Sequence, residues 1–207
     1  MSDSAYIILI KYPQAGKVKT RLGQSIGDQK AAEFYKALVE NLLSSHSGVY
    51  DTLLFIQPYD KLSDFEAWLG NSYKYFAQRG ADIGEIMFNA LSDAFNEGYS
   101  KVVLTGSDIP ELNGDIINEA FQKLSDTDAV IGESEDGGYY LIGFNNTKLD
   151  ISFFTDIKWS SDIVFSETLN IFKKANLSFS KTKKLLDIDT VADLKRLNLK
   201  WEKPYDV

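Results

Sequence analysis

The chain alternates between short, continuously apolar runs and longer segments whose apolar residues recur every three or four positions. A continuous apolar run suits a strand covered on both faces of a sheet, and the longer recurrence suits a helix lying against that sheet. Residues 5–11 (AYIILIK), 52–56 (TLLFI) and 101–105 (KVVLT) are of the first kind, and residues 73–77, 129–132, 139–144 and 185–188 read as further, shorter strands. Helices are expected over 28–43, with Ala31, Phe34, Tyr35, Leu38 and Leu42 on one stripe, and over 162–174, with Phe165, Leu169 and Phe172 turned inward. Ile83, Met87, Leu91 and Ala94 line another that stops at Gly98, and Ile117, Ala120, Phe121 and Leu124 mark one more. Ser63 with Glu66 reads as a capping box opening a short helix to Leu69, and Thr190 with Asp193 as one opening a last helix that carries Val191, Leu194 and Leu197.

Strand and helix in alternation imply an α/β fold, three layers α/β/α, with a mostly parallel, twisted sheet. No repeat, low-complexity run or Pro/Gly-rich linker interrupts residues 1–207, so a single domain is expected. Ligands of such folds sit beyond the carboxyl ends of the strands, which directs attention to the segments after Lys11 and Thr105, around Asp136 and near Ile188. There is no cysteine, which excludes disulfides, thiolate metal sites and a cysteine nucleophile. The net charge of −8, from 30 acidic and 22 basic residues, speaks against a general nucleic-acid binder. Residues 2–5 carry no basic group and the run 6–10 is too short for a signal peptide or membrane span, so a cytoplasmic protein is expected.

Within this acidic chain, Lys11, Lys17, Lys19 and Arg21 fall together with no acid between them. A loop that also holds Pro13 and Gly16 suits a diphosphate, Gly16 allowing close backbone approach and the cations supplying donors. The alternative is a solvated basic loop. It is not a P-loop, because Lys11 and Val18 stand where that motif needs glycine and a hydroxyl residue, and no dinucleotide-binding Gly-x-Gly-x-x-Gly follows the strand. Gly106-Ser107-Asp108 directly follows a buried strand, so Asp108 either seats a hard cation such as Mg²⁺ or Mn²⁺ or caps the turn at Pro110. Glu133-Ser-Glu-Asp136-Gly137-Gly138-Tyr139 is either a plain turn or a place where a ligand lies on the backbone, with Asp136 able to accept a proton or bind hydroxyls. Asp187-Ile-Asp189-Thr190 either completes a metal shell or caps a helix. Trp159, beside two serines, lines a pocket or packs; Trp68 and Trp201 read as packing residues and His46 as solvent-exposed.

Six blocks occur in a fixed order: Lys11-Tyr-Pro-x-x-Gly-Lys-x-Lys-Thr-Arg-Leu22, Gln78-x-Gly-x-Asp82-x-Gly-Glu-x-Met87, Gly106-Ser-Asp-x-Pro110, Asp136-Gly-Gly-Tyr-Tyr-Leu-Ile-Gly143, Trp159-Ser-Ser and Asp187-Ile-Asp-Thr190. In these the chain resembles the bacterial family of small GT-A-fold glycosyltransferases, including members assigned to arsenosugar biosynthesis, over about residues 5 to 197. The resemblance implies a nucleotide-sugar-binding domain related to the nucleotidyltransferase superfamily. It implies that Lys11, Pro13, Gly16, Lys17, Lys19, Arg21, Gln78 and Asp82 hold the nucleotide and its phosphates. It places Asp108 and Asp189 on a Mg²⁺ or Mn²⁺ ion, Gly137, Gly138, Tyr139 and Trp159 beside sugar or acceptor, and Asp136 as the residue that deprotonates or positions the acceptor. The chain departs from the family pattern at Ile86 (usually Arg), Ile83 (usually Leu) and Val191-Ala192 (usually Pro-Glu). The activity so implied is metal-dependent sugar transfer from a nucleoside-diphosphate sugar to a small acceptor. Nucleotidyl transfer from a triphosphate with release of pyrophosphate is an alternative, and a nucleotide-binding module without turnover is another.

Overall fold

The computed structural model describes residues 2–45 and 50–199, so His46 and Trp201 lie outside the described residues. The apolar runs form β1 (Ser4–Lys11), β2 (Asp51–Gln57), β3 (Lys74–Ala77), β4 (Lys101–Thr105), β5 (Ala129–Glu133), β6 (Tyr139–Asn145) and β7 (Phe179–Lys181). They make one sheet in the order β3-β2-β1-β4-β6-β5-β7. Only β6 runs against its neighbours β4 and β5; the other pairs are parallel. The intervening segments form α1 (Thr20–Ile26), α2 (Asp28–Ser44), α3 (Leu62–Leu69), α4 (Ile83–Asn96), α5 (Gly114–Lys123), α6 (Val164–Lys174) and α7 (Val191–Arg196).

The two-residue period of the strands divides the interior into two layers. Tyr6, Ile8 and Ile10 of β1 point to one face, where Ala32, Tyr35 and Val39 of α2, Phe65 of α3 and Ile117 and Ala120 of α5 cover them. Ala5 and Ile7 point to the other, under Met87, Leu91 and Ala94 of α4 and Phe165, Leu169 and Phe172 of α6. The three-layer expectation therefore holds, with α2, α3 and α5 on one side and α4 and α6 on the other. A third cluster joins Leu22 of α1, Phe34 and Leu38 of α2, and Ile188 and Leu194 near α7. It pulls the far end of the chain back onto its beginning. Among the described residues no helix is long and apolar enough to cross a membrane.

Several boundaries differ from the sequence reading. Residues 185–188 are not a strand: Leu185 makes one isolated bridge to Ser134, and Ile188 is buried in the third cluster rather than in a ladder. The sheet ends instead on β7, whose three residues pair with β5. Ser63 does not cap α3, which begins at Leu62 after a 3₁₀ turn at Tyr59–Lys61, with no side-chain hydrogen bond at its start. Helix α1 was not foreseen, and α6 begins at Val164. Asp193 does cap α7, accepting hydrogen bonds from the Thr190 amide at 2.7 Å and the Asp189 amide at 3.1 Å.

The topology fixes where a ligand can sit. From β1 the chain builds outward through β2 and β3 on one side, then crosses to β4 on the other. At that reversal the loop after β1 and the turn after β4 stand side by side, and a crevice lies beyond the strands' carboxyl ends.

The β5–β6 connection beside this crevice depends on Gly137, whose φ of +89° is left-handed and whose added Cβ would lie 2.1 Å from the Asp162 carbonyl oxygen. Gly70 has a similar φ of +92° but nothing within 4 Å. Gly70→Ala is expected to cost about 1–2 kcal/mol of stability from backbone conformation alone. Gly137→Ala should cost about 1–3 kcal/mol more, because the overpacked α6 approach must also yield. Urea denaturation of the two variants measures the difference; equal losses would contradict the close approach.

Candidate active site

Two buried tyrosines seal β1 to β4 just below the crevice. Tyr6 Oη and Thr105 Oγ1 lie 2.7 Å apart in a hydrogen bond. Tyr35, from α2, accepts from the Lys11 amide at 2.9 Å and shares a second bond with Ser107 Oγ at 2.9 Å. Burial raises the pKa of both phenols, and the charge of nearby Asp108 raises that of Tyr35 further, so both stay neutral. The sequence reading placed Tyr35 only on a helix stripe. Its position opposite Ser107 depends on pairing that local sequence does not display.

Above this seal lies a cavity of about 640 Å³. Lys11, Lys17, Lys19 and Arg21 line it from the loop after β1, and Gly106, Ser107 and Asp108 line it from the turn after β4. Asp189 enters from the segment before α7, which the Ile188 amide ties to the Asp108 carbonyl at 3.3 Å. The four expected cations therefore share one cavity with both expected metal ligands. Among the described residues Lys11 and Lys17 have no carboxylate partner, while Arg21 pairs with Asp189 at 2.8 Å.

Lys19 is different. Its side chain is only 2% exposed, and Nζ stands 3.1 Å from Asp108 Oδ2 and 3.6 Å from Asp189 Oδ1. These are ion-pair distances, but no acceptor is aligned with its N–H bonds. Asp108 and Asp189 do converge on one cation position, and that position is filled by an ammonium group. A divalent ion such as Mg²⁺ needs oxygens at about 2.0–2.1 Å, closer than either carboxylate comes to that point. Among the described residues no group of three or more acidic or histidine side chains is placed to hold a metal. With Lys19 where it stands, these residues do not fit the ion.

A second cavity of about 210 Å³ opens on the other side of Gly106 and Asp108. Leu9, Met87, Leu104 and Ile142 give it an apolar floor, and Asp108, Asp136, Asp187 and Ser134 an acidic rim. Ile83, expected to face the core, is 42% exposed and lines both cavities instead. Asp187 is held above its ordinary pKa, first by burial and next by the charge of Asp136; a hydrogen bond from Ser134 Oγ at 2.9 Å partly offsets this. The sequence reading noted Asp187 within its motif but did not number it among the site residues.

The remaining expected contacts fall as follows. Gly138 and Tyr139 line the second cavity, with the Tyr139 hydroxyl buried and without a hydrogen-bond partner. Asp136 lines it too, though its Oδ1 also accepts from the Gly138 amide at 2.9 Å and so shapes the turn. Gly137 packs on the Asp162 backbone and faces no cavity. Trp159 also faces neither: its ring packs in the space left by the missing side chain of Gly84 and meets Tyr139 edge-on at 6.3 Å, while Ser160 reaches the larger cavity. Gln78 reaches that cavity, but its amide nitrogen is committed to the carbonyls of Ile10 (3.1 Å) and Phe55 (2.7 Å). Asp82 caps α4 through the Glu85 amide at 2.9 Å and lies outside both cavities. Pro13 and Gly16 also lie outside; Gly16, at φ +73°, turns the loop so that Lys17 and Lys19 face inward.

Comparison with known proteins accords with this architecture. Residues 43–161 match the family described as "Uncharacterized protein conserved in bacteria (DUF2064)". The chain is similar to a crystal structure from Desulfovibrio desulfuricans G20 described as a "putative nucleotide-diphospho-sugar transferase", with 39% identity, TM-score 0.92, and coverage of 95% of this chain and 87% of that one. More distant likenesses concern the fold alone. A 4-diphosphocytidyl-2C-methyl-D-erythritol synthase from Anaerococcus prevotii DSM 20548 shares 12% identity at TM-score 0.62, covering 95% and 97% of the two chains. A Mycobacterium tuberculosis H37Rv protein in complex with manganese shares 13% at TM-score 0.52, covering 94% and 97%. No curated protein matches the chain. The family match spans more than half of the sequence, and with the identity to the Desulfovibrio protein over nearly its whole length it shows that the chain belongs to the DUF2064 family.

Proposed function

We propose that the protein is a glycosyltransferase that binds the diphosphate of an activated sugar in the larger cavity and passes the sugar to a small acceptor held in the smaller one. The observation that carries this reading is the separation of charge across Gly106 and Asp108. Lys11 and Lys17 face one cavity without carboxylate partners, whereas Asp136 and Asp187 rim the other over an apolar floor. An anionic donor is matched to the first and repelled by the second. The description of the Desulfovibrio relative supports the same class of chemistry.

In sugar transfer the barrier lies in parting a diphosphate from the anomeric carbon, and charge grows on its oxygens as it leaves. Lys11, Lys17 and Arg21 stand where they can take up that charge. Asp136 and Asp187 lie where an acceptor hydroxyl would enter, and a carboxylate can accept its proton. With Lys19 between Asp108 and Asp189 these residues do not fit the Mg²⁺ or Mn²⁺ implied by the family resemblance, and none of these steps is routed through it. Nucleotidyl transfer to a phosphorylated acceptor would seat a second phosphate against the acidic rim, so that reading is disfavoured.

A melting-temperature screen of UDP-, GDP-, CMP- and dTDP-sugars against the corresponding triphosphates tests the donor. A ligand at 100 times its dissociation constant adds about 2.7 kcal/mol of stability. Gly106 offers an independent check, because nothing lies within 4 Å of an added Cβ. Gly106→Leu should keep the wild-type melting temperature without ligand and lose the shift with it. In turnover assays of nucleoside-diphosphate release, Lys17→Ala should lower kcat/KM about 10²–10³-fold, the loss typical of one donor to a developing oxyanion. Pyrophosphate release from a triphosphate, with no nucleoside diphosphate from any sugar donor, would overturn the proposal.

The acidic rim carries a stability cost that can be measured. Because the folded state raises the Asp187 pKa above 3.8, its ionisation at neutral pH opposes folding. Stability contributed by the protonated form is fully present below 3.8 and is lost as pH rises through the folded-state value. Asp187→Asn should therefore be more stable than wild type at pH 7, with the advantage vanishing as pH falls through the carboxylate range. Urea denaturation from pH 3.5 to 7.5 checks this; a constant difference would contradict it.

A further inference from the structure

Asp108 and Asp189 belong to segments far apart in the chain, one following β4 and the other leading into α7. Brought together, two carboxylates repel unless a cation lies between them. In this protein the cation belongs to the chain itself. Lys19 reaches the position from a left-handed backbone, φ +47°, which an L residue adopts only where its surroundings compel it. Its side chain is sealed from solvent, its Nζ faces Asp108 and Asp189, and Arg21 takes the other Asp189 oxygen.

This arrangement has an unspent part. Nζ carries three N–H donors, and among the described residues no acceptor meets it in hydrogen-bonding geometry, although the group is buried. A buried ammonium held by charge alone is poised for a better acceptor, and the cavity it borders is lined by Lys11 and Lys17, which attract anions. An anion drawn in by those two would offer phosphate oxygens to Nζ. Once Nζ turned to them, Asp108 and Asp189 would be left without their counter-charge and open to another cation.

We propose that Lys19 is a built-in counter-ion that closes the Asp108–Asp189 pair to divalent cations until a ligand of the diphosphate class draws its ammonium away. Cation and lysine compete for one position, so the free protein binds a divalent ion poorly. The diphosphate half of this inference rests on the donor reading above; the exclusion of cations does not.

The test separates the two halves. Mn²⁺ alone is titrated into the nucleotide-free protein, and bound ion is measured from loss of the free-ion electron paramagnetic resonance signal. Lys19→Met should bind Mn²⁺ at least about tenfold more tightly than wild type, and Asp108→Asn in that background should remove the gain. Circular dichroism confirms folding; should Lys19→Met fail to fold, Lys19→Gln, which also removes the charge but keeps a polar end, should show the same direction. Equal affinity in wild type and variant, or a gain that survives Asp108→Asn, overturns the exclusion. Separately, inorganic pyrophosphate in the presence of EDTA should raise the wild-type melting temperature and raise that of Lys19→Met by less. No shift in wild type, or an equal shift in both, rejects the diphosphate as the releasing ligand and leaves the Mn²⁺ result to stand or fall by itself.

Discussion

Strand β1 is paired in parallel with β2 along one edge and with β4 along the other, and the chemistry of the molecule follows from that double pairing. The loop after β1 gathers four cations with no acid between them in an acidic chain, and the turn after β4 ends in Asp108. Nothing local relates them. The ladder sets Ile8 opposite Thr105, where β4 ends, while β1 runs on to Lys11, so the turn after β4 opens beside the last residues of β1. The Tyr6–Thr105 and Tyr35–Ser107 hydrogen bonds, in surroundings where an unpaired hydroxyl would be costly, hold that register against slippage. The third cluster then adds Asp189, because burying Ile188 beneath Phe34 and Leu38 leaves its neighbours at the mouth of the crevice.

The sheet was legible in the sequence because strands covered on both faces must be apolar along their buried length, and 5–10, 53–56 and 102–104 are. The same rule explains what was misread. Leu185, Leu186 and Ile188 are apolar because they are buried, Leu185 in the first cluster and Ile188 in the third, not because a ladder runs through them, and pattern cannot tell the two apart. β7 is half-exposed and three residues long, too short and too polar to display a period. Ser63 and Glu66 have the spacing of a capping box, but the 3₁₀ turn before Leu62 carries the helix past it.

The candidate site was legible to a different degree at different residues. Lys11, Lys17, Arg21 and Asp108 meet in one cavity because each follows the carboxyl end of β1 or β4, which is a topological property that sequence order reveals, whereas Asp189 joins them through the burial of Ile188. Gln78, Asp82 and Trp159 carry structural commitments that no local pattern displays. The Gln78 amide is spent on the carbonyls of β1 and β2, Asp82 on an α4 amide, and the Trp159 ring on the vacancy over Gly84. Lys19 is the sharpest case. By sequence it is one more cation in a basic loop; in the fold it is buried and turned from the phosphates' side of the cavity to the carboxylates.

That reversal bears on how an acidic crevice can take an anionic donor at all. Asp108, Asp136, Asp187 and Asp189 all border the crevice, and burial with the charges of Asp136 and Asp189 already disturbs Asp187. A diphosphate approaching them unaided would meet repulsion from every one. Lys19 and Arg21 neutralise the pair nearest the larger cavity, so the field there is set by Lys11 and Lys17, while the uncompensated charge is confined to the smaller cavity behind Gly106. On the proposed function this field would orient a donor before any contact is made, its diphosphate toward the loop after β1. The arrangement also explains why the basic loop carries four cations when two face the cavity unpaired: the other two hold the carboxylates on which the crevice is built.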